Sequence, residues 1–128
     1  MQRAVNCEFI INIEQILNIS GIGELEVLFL TTDNEKFKLI FRPVWDMRCS
    51  TENASIYRFY RFRKNLPDGI INNDIFIVEN SGYIKYFKYQ ACGTSDPDAL
   101  IHYLITDRSD TVLDILVWRN KPMLVPVP

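Results

Sequence analysis

Apolar and polar residues alternate with a period of two along much of this chain, and this alternation narrows the possible folds more than any other feature. The clearest case is residues 24–44, where two alternating runs flank the polar turn Thr32–Glu35. The residues that share the inward side are Leu25, Val27, Phe29, Phe37, Leu39 and Phe41. The pattern predicts an antiparallel hairpin. Its second strand ends or lies at an edge by Pro43, because proline has no amide donor.

Further segments rich in β-branched and aromatic residues extend this sheet. They are residues 4–13, 53–64, 75–79, 83–89 and 112–118. Residues 75–79 and 83–89 flank Asn80-Ser81-Gly82, which predicts a second hairpin. Residues 46–53 are predicted to be a loop. The tail KPMLVPVP has three prolines in its last seven residues, so we expect it to be extended along the surface or a sheet edge.

One segment near the C-terminus carries helix signals. Ser95 or Asp96 can cap the helix, and Pro97 suits its first position. Leu100, Ile101, Leu104 and Ile105 follow as an apolar stripe at helical spacing. We therefore predict one domain, residues 1–128, of class α+β. Its predominantly antiparallel sheet of about seven strands is curled or barrel-like, and one short C-terminal helix packs on it.

The distribution of charge divides the chain into three blocks. Residues 1–35 carry one basic and six acidic side chains, residues 36–88 carry ten basic and five acidic, and residues 89–128 carry three basic and five acidic. A basic middle between acidic ends fits two interpretations. It can form a cationic binding face, or its charges can pair with acidic neighbours across the sheet. The net charge of −2 favours neither nucleic acid nor an anionic membrane as a partner.

Cysteine usage and the N-terminal segment predict a cytoplasmic location. Cys7, Cys49 and Cys92 are odd in number, widely spaced and outside any CxxC motif. This is unlike the disulfide framework of a small secreted domain. The N-terminal residues lack the long apolar core of a signal peptide, and no apolar run is long enough to span a membrane.

The most distinctive stretch is Asn53–Lys64, which reads NASIYRFYRFRK. A β-bulge between Phe59 and Tyr60 would place its rings on one side of a strand and its arginines largely on the other. Tyrosine and arginine are enriched at interface hot spots. The predicted binding residues are Arg58, Tyr60, Arg61 and Arg63. Arginines interleaved with rings can also hold phosphates and stack bases, so a single-stranded nucleic-acid module is the alternative prediction.

Motifs for catalysis, metals and cofactors are missing from the sequence. One histidine and three distant cysteines do not match a zinc-site spacing, and Gly21-Ile22-Gly23 lacks the rest of a dinucleotide fingerprint. We therefore predict no catalytic residue, metal or cofactor. A Cys/His hydrolase, pairing His102 with Cys49 or Cys92, is the second alternative, because such pairs assemble only in the folded chain.

A protein that acts by binding another protein fits these observations best. In size, acidity and lack of catalytic motifs the chain is broadly similar to small bacterial immunity proteins, which neutralise a toxin by covering its active site. No motif is shared, so the resemblance assigns no residues. We expect a non-enzymatic binding protein, with a toxin as one potential partner. A homodimer through an open sheet edge is a variant of the same prediction.

Overall fold

The computed structural model describes residues 2–51, 73–90 and 99–128. These ranges form nine strands and one helix. In chain order the elements are β1 (Arg3–Asn6), β2 (Ile13–Ser20), β3 (Leu25–Thr31), β4 (Lys36–Phe41), β5 (Val44–Thr51), β6 (Ile75–Glu79), α1 (Gly82–Gln90), β7 (Leu100–Thr106), β8 (Thr111–Trp118) and β9 (Met123–Val127). The class is α+β, as predicted, with more strands than the seven expected.

The strands form two antiparallel sheets rather than a closed barrel. Sheet A has the order β1-β6-β7-β8-β5, and sheet B has the order β2-β3-β4-β9. The two sheets share one apolar core, in which Phe41 of sheet B meets Tyr103 of sheet A edge to face at 5.4 Å between ring centroids. A second cluster, containing Phe76, Leu104 and Val112, lies on the opposite side of sheet A. The central strands β7 and β8 of sheet A are therefore buried on both faces.

The hairpin of β3 and β4 is confirmed. Its register pairs Leu25 with Phe41 and Phe29 with Phe37, so the alternating apolar residues face the core together. The strands at residues 75–79 and 112–118 are confirmed as β6 and β8. The proline-rich tail is extended, as predicted, and β9 forms one edge of sheet B.

The predicted C-terminal helix at Leu100–Ile105 is wrong, since this run is the central strand β7. Nearly every β7 residue is buried, because β7 lies between β6 and β8 in a sheet covered on both faces. Such a strand loses its alternation and becomes continuously apolar. The apolar residues of β7 then match the spacing of a helical stripe by coincidence.

The second predicted hairpin is also wrong, because its second arm forms the helix α1. Tyr83 is buried and Ile84 and Phe87 are partly buried, whereas Lys85 and Tyr86 are exposed. That spacing is helical.

The predicted loop at residues 46–53 is wrong as well, since residues 46–51 belong to the edge strand β5. Residues 53–64, the arginine-rich stretch, lie outside the described residues.

The predicted strand at residues 4–13 is divided between the sheets. β1 pairs with β6 in sheet A, and β2 begins at Ile13 in sheet B. Asp74 holds this crossover: its Oδ2 accepts from the Ile13 amide at 2.7 Å, and its Oδ1 accepts from the Thr106 hydroxyl at 2.9 Å. The Asn73 amide group bonds Phe9 and Ile11 in the same segment. One buried carboxylate therefore connects strands of both sheets.

Replacing Asp74 by asparagine should destabilise the fold. Asp74→Asn puts an NH₂ group where a buried oxygen accepts a hydrogen bond, which costs about 2–3 kcal/mol of unfolding free energy. Urea unfolding monitored by circular dichroism measures this loss. Asp33→Asn, in the exposed turn between β3 and β4, is the matched control and should change stability by less than about 0.5 kcal/mol. Equal effects of the two changes would contradict this role of Asp74.

Candidate functional site

A buried chain of hydrogen bonds joins the start of α1 to sheet A. Ser81 Oγ lies 2.7 Å from His102 Nδ1, and His102 Nε2 lies 2.6 Å from Asp114 Oδ1. All three residues are almost completely buried. An ionised carboxylate only accepts, so Nε2–H donates to Asp114, and the second ring nitrogen, Nδ1, shares the other hydrogen bond with the Ser81 hydroxyl. Both ring nitrogens of His102 are engaged.

Local sequence explains how each member reaches its place. Ser81 precedes α1, and its Oγ accepts from the Ile84 amide at 3.1 Å as an N-cap. His102 and Asp114 lie on neighbouring strands, where the register pairs His102 with Leu116 and Leu104 with Asp114. The two polar side chains are therefore diagonal neighbours on the α1 side of sheet A.

This arrangement has the residue types of a hydrolase triad, but its geometry favours a structural role. The hydroxyl of Ser81 already makes two hydrogen bonds, one with His102 and one with the Ile84 amide. Ser81 also lines an open pocket of about 460 Å³ with Asn80, Lys85 and other residues, although neither His102 nor Asp114 lines it. The chain attaches α1 to the sheet rather than presenting an activated nucleophile.

The Cys/His alternative receives no support from the described residues. Among the described side chains, His102 bonds Ser81 and Asp114, and Cys49 lies on β5 opposite Leu113. Cys92, the other predicted partner, lies outside the described residues. Within the described ranges, no group of three or more histidine, cysteine or acidic residues is arranged to hold a metal ion.

Aromatic rings and arginines meet where β5, α1 and the end of β8 come together. A register shift between Val44 and Asp46 leaves Trp45 as the extra residue of a bulge. The Trp45 ring meets Trp118 at 4.8 Å and Phe87 at 6.0 Å between centroids, edge to face in both cases. All three rings are half-buried, so each keeps part of its area accessible.

Two exposed arginines lie over rings in this region. The Arg48 guanidinium is 3.8 Å from the centroid of Tyr83, and that of Arg119 is 5.5 Å from Trp118. These are cation–π distances. We call Trp45, Arg48, Phe87, Trp118 and Arg119 the aromatic–arginine surface. The buried Trp118 Nε1 has no hydrogen-bond partner within the described part of the chain.

Tyr83 connects this surface to the buried chain. Its ring packs edge to face on His102 at 5.4 Å, and its hydroxyl donates to Asp46 Oδ2 at 2.6 Å. Burial, followed by the hydrogen bond to Asp46, raises the pKa of Tyr83 well above its usual range. The hydroxyl therefore remains a donor throughout the physiological pH range. Arg48, Tyr83 and the helix are held in one arrangement.

None of the predicted binding residues, Arg58, Tyr60, Arg61 and Arg63, lies within the described residues. Part of the basic middle block does, and two of its cations pair with acidic side chains of the same sheet. Lys38 lies 3.6 Å from Glu26, and Arg42 lies 3.7 Å from Glu24, so cations of the hairpin face acids on or beside β3. The described hairpin therefore presents no continuous cationic face.

Sequence reasoning missed Ser81, Asp114, Trp45 and Trp118. Asp114 offered a usable signal, because it interrupts the apolar run of β8, and a buried acid requires a partner. His102, the only histidine of the chain, was the natural candidate for the partner of Asp114. The two tryptophans meet only through pairing of β5 with β8, and the bulge at Trp45 has no sequence signature.

No protein-family model, curated protein or solved structure matches this chain at a significant level. Within the described ranges, no helix has the length and apolar character needed to cross a membrane.

Removing the Ser81 hydroxyl should destabilise the protein. Ser81→Ala loses the N-cap of α1 and leaves a buried nitrogen of His102 without its partner, at a cost of about 2–3 kcal/mol together. Ser20→Ala, on an exposed position of β2, should change stability by less than about 0.5 kcal/mol. Thermal and urea unfolding of both variants test this, and near-wild-type stability of Ser81→Ala would show that the hydrogen bonds do not hold the helix.

Cys49 should react with iodoacetamide at least about tenfold faster than Cys7 at pH 8. Cys49 is exposed, whereas Cys7 is partly buried and its Sγ bonds the Phe9 and Ile75 carbonyls. Burial raises the pKa of the Cys7 thiol, which lowers the fraction of reactive thiolate. Mass spectrometry of the separate cysteine peptides over time gives both rates. Faster alkylation of Cys7 in the folded protein would contradict the described environment.

Proposed function

We propose that this protein acts by binding another protein, and that the aromatic–arginine surface forms part of the binding site. The observation that carries the proposal is the convergence of two tryptophans, a phenylalanine and two exposed arginines at one place. Tryptophan, tyrosine and arginine dominate the binding energy of protein interfaces. Half-buried rings in a fixed arrangement lose little conformational entropy when a partner covers them.

Rigidity of this surface favours recognition further. The rings of Trp45 and Trp118 support each other, and Tyr83 is held by Asp46, His102 and Arg48. Preorganised rings reduce the cost of association.

Arg58, Tyr60, Arg61 and Arg63 remain part of the proposal as predicted binding residues. Their segment follows β5, which carries Trp45 and Arg48, after a few residues of chain. A toxin neutralised by this chain is one partner of the proposed kind. We also propose a cytoplasmic location, in keeping with the free thiols of Cys7 and Cys49.

The test is affinity capture with the immobilised full chain and a lysate of its source cells. The binding-surface variant is Arg48→Ala/Arg119→Ala, which should lose a partner that the wild type captures, with affinity reduced at least about tenfold. The matched control is Arg3→Ala/Arg108→Ala, which removes the same charge from exposed ion pairs with Glu79 and Glu14. This control should capture the partner normally. Equal capture by the two variants would contradict the proposed surface.

Two further measurements separate the alternatives. Arg58→Ala/Tyr60→Ala/Arg61→Ala should also abolish capture while the circular dichroism spectrum stays that of the folded chain. If the spectrum is lost, those side chains are structural.

A fluorescent single-stranded oligonucleotide should bind negligibly at low salt. Tight oligonucleotide binding that weakens steeply with salt would replace the proposal with the nucleic-acid alternative.

A further inference from the structure

The guanidinium group of Arg48 is held in place on one side only. It lies 3.8 Å from the centroid of the Tyr83 ring, and that ring is fixed by its hydrogen bond to Asp46 and its contact with His102. Within the described ranges, the guanidinium forms neither a hydrogen bond nor an ion pair. Its N–H donors therefore remain available, and their forked geometry matches the two oxygens of a carboxylate.

The acidic side chains nearest to Arg48 are engaged elsewhere. The register of β5 and β8 places Arg48 opposite Asp114, and Asp46 precedes Arg48 by two residues on the same side of sheet A. Asp46 accepts the Tyr83 hydroxyl at 2.6 Å, and Asp114 accepts from His102 at 2.6 Å. Neither carboxylate forms an ion pair with Arg48. A carboxylate for Arg48 can therefore come from a partner.

Two exposed lysines add positive charge beside the rings. Lys88 follows Phe87 in α1, and Lys121 comes three residues after Trp118. Neither lysine forms an ion pair with another residue in the part of the chain that the structure describes. Four cations elsewhere do have an acidic partner; these pairs are Arg3 with Glu79, Lys38 with Glu26, Arg42 with Glu24 and Arg108 with Glu14.

We propose that the partner of the aromatic–arginine surface presents an acidic segment, in which a carboxylate binds Arg48 and a neighbouring apolar side chain covers the rings. This inference rests on the proposed function and names the chemistry of the partner. The whole chain has a net charge of −2, so it repels an acidic protein at most orientations. The local cluster of cations reverses this repulsion at one place and so directs an acidic partner to the rings.

The ring geometry favours a protein segment over a nucleic acid as the source of negative charge. The Trp45 ring meets the rings of Trp118 and Phe87 at interplanar angles of 76°. Guanidinium groups already lie over the rings of Tyr83 and Trp118. Bases of a single strand stack on open ring faces. Carboxylates and aliphatic side chains need no such face, because they can contact the guanidinium N–H groups and the ring edges.

Tryptophan fluorescence provides a direct measurement, because both tryptophans of the chain, Trp45 and Trp118, belong to this surface. The probe is a synthetic peptide of alternating glutamate and leucine, titrated into the full chain up to about 1 mM. The matched peptide has glutamine at every glutamate position. The glutamate peptide should bind at least about tenfold more tightly than the glutamine peptide. Raising NaCl from about 50 mM to about 500 mM should remove most of this difference.

A single substitution tests the role of Arg48. Arg48→Gln should weaken binding of the glutamate peptide at least about tenfold and leave binding of the glutamine peptide unchanged. The control is Arg108→Gln, which removes the same charge at the other end of β8, where Arg108 pairs with Glu14. This variant should bind both peptides like the wild type. Circular dichroism first establishes that both variants are folded; if Arg48→Gln unfolds, Lys88→Gln replaces it, with an expected loss of about threefold.

Equal affinity of the wild type for the two peptides would overturn the inference, as would no binding of either peptide at about 1 mM. A single-stranded oligonucleotide that binds more tightly than the glutamate peptide at the same salt would overturn it in favour of a nucleic acid. The proposed function fails by a different result, which is equal capture of the lysate partner by Arg48→Ala/Arg119→Ala and by its control.

Discussion

Burial of the central strands of sheet A on both faces is the constraint from which the rest of the structure follows. One face closes the core against sheet B, and the other packs a second apolar cluster on the α1 side. β7 and β8 therefore have almost no exposed positions. A polar side chain on these strands must find its partner inside the protein. The hydrogen-bonded chain of Ser81, His102 and Asp114 meets this requirement and at the same time attaches α1 to the sheet.

Attachment of the helix positions the proposed binding surface. Tyr83 and Phe87 lie one helical turn apart on α1; Tyr83 packs on His102, and Phe87 reaches Trp45. The bulge in β5 turns Trp45 toward Trp118, the last residue of β8. The surface thus gathers side chains from three elements separated along the sequence. Its geometry depends on the buried hydrogen bonds beneath it, so the stability of the fold and the shape of the surface are coupled.

Sheet B differs from sheet A in having one face in the core and one face outward. Its inward side chains alternate as strand periodicity requires, and its outward side chains are unusually apolar. Ion pairs such as Lys38 with Glu26 lie among them and neutralise part of the basic middle block. The two sheets therefore offer two chemically distinct surfaces: rings and arginines on sheet A, and aliphatic side chains with alternating charges on sheet B.

Patterns among near neighbours in the chain are enough to predict part of this fold. The hairpin of β3 and β4 follows from alternation and its polar turn, the strands β6 and β8 follow from β-branched and aromatic composition, and the extended tail follows from its prolines. All of these signals act over a few positions. The α+β class was predicted correctly although the helix lies at other residues. Tertiary structure decided the rest. Leu100–Thr106 form a strand although their spacing is helical, because a strand covered on both faces loses its alternation. Residues 82–90 form a helix, because α1 buries an apolar stripe and begins at a serine cap. The meeting of His102 with Asp114, and of Trp45 with Trp118, was likewise decided by strand pairing, since a register joins residues far apart in sequence and no local pattern encodes it.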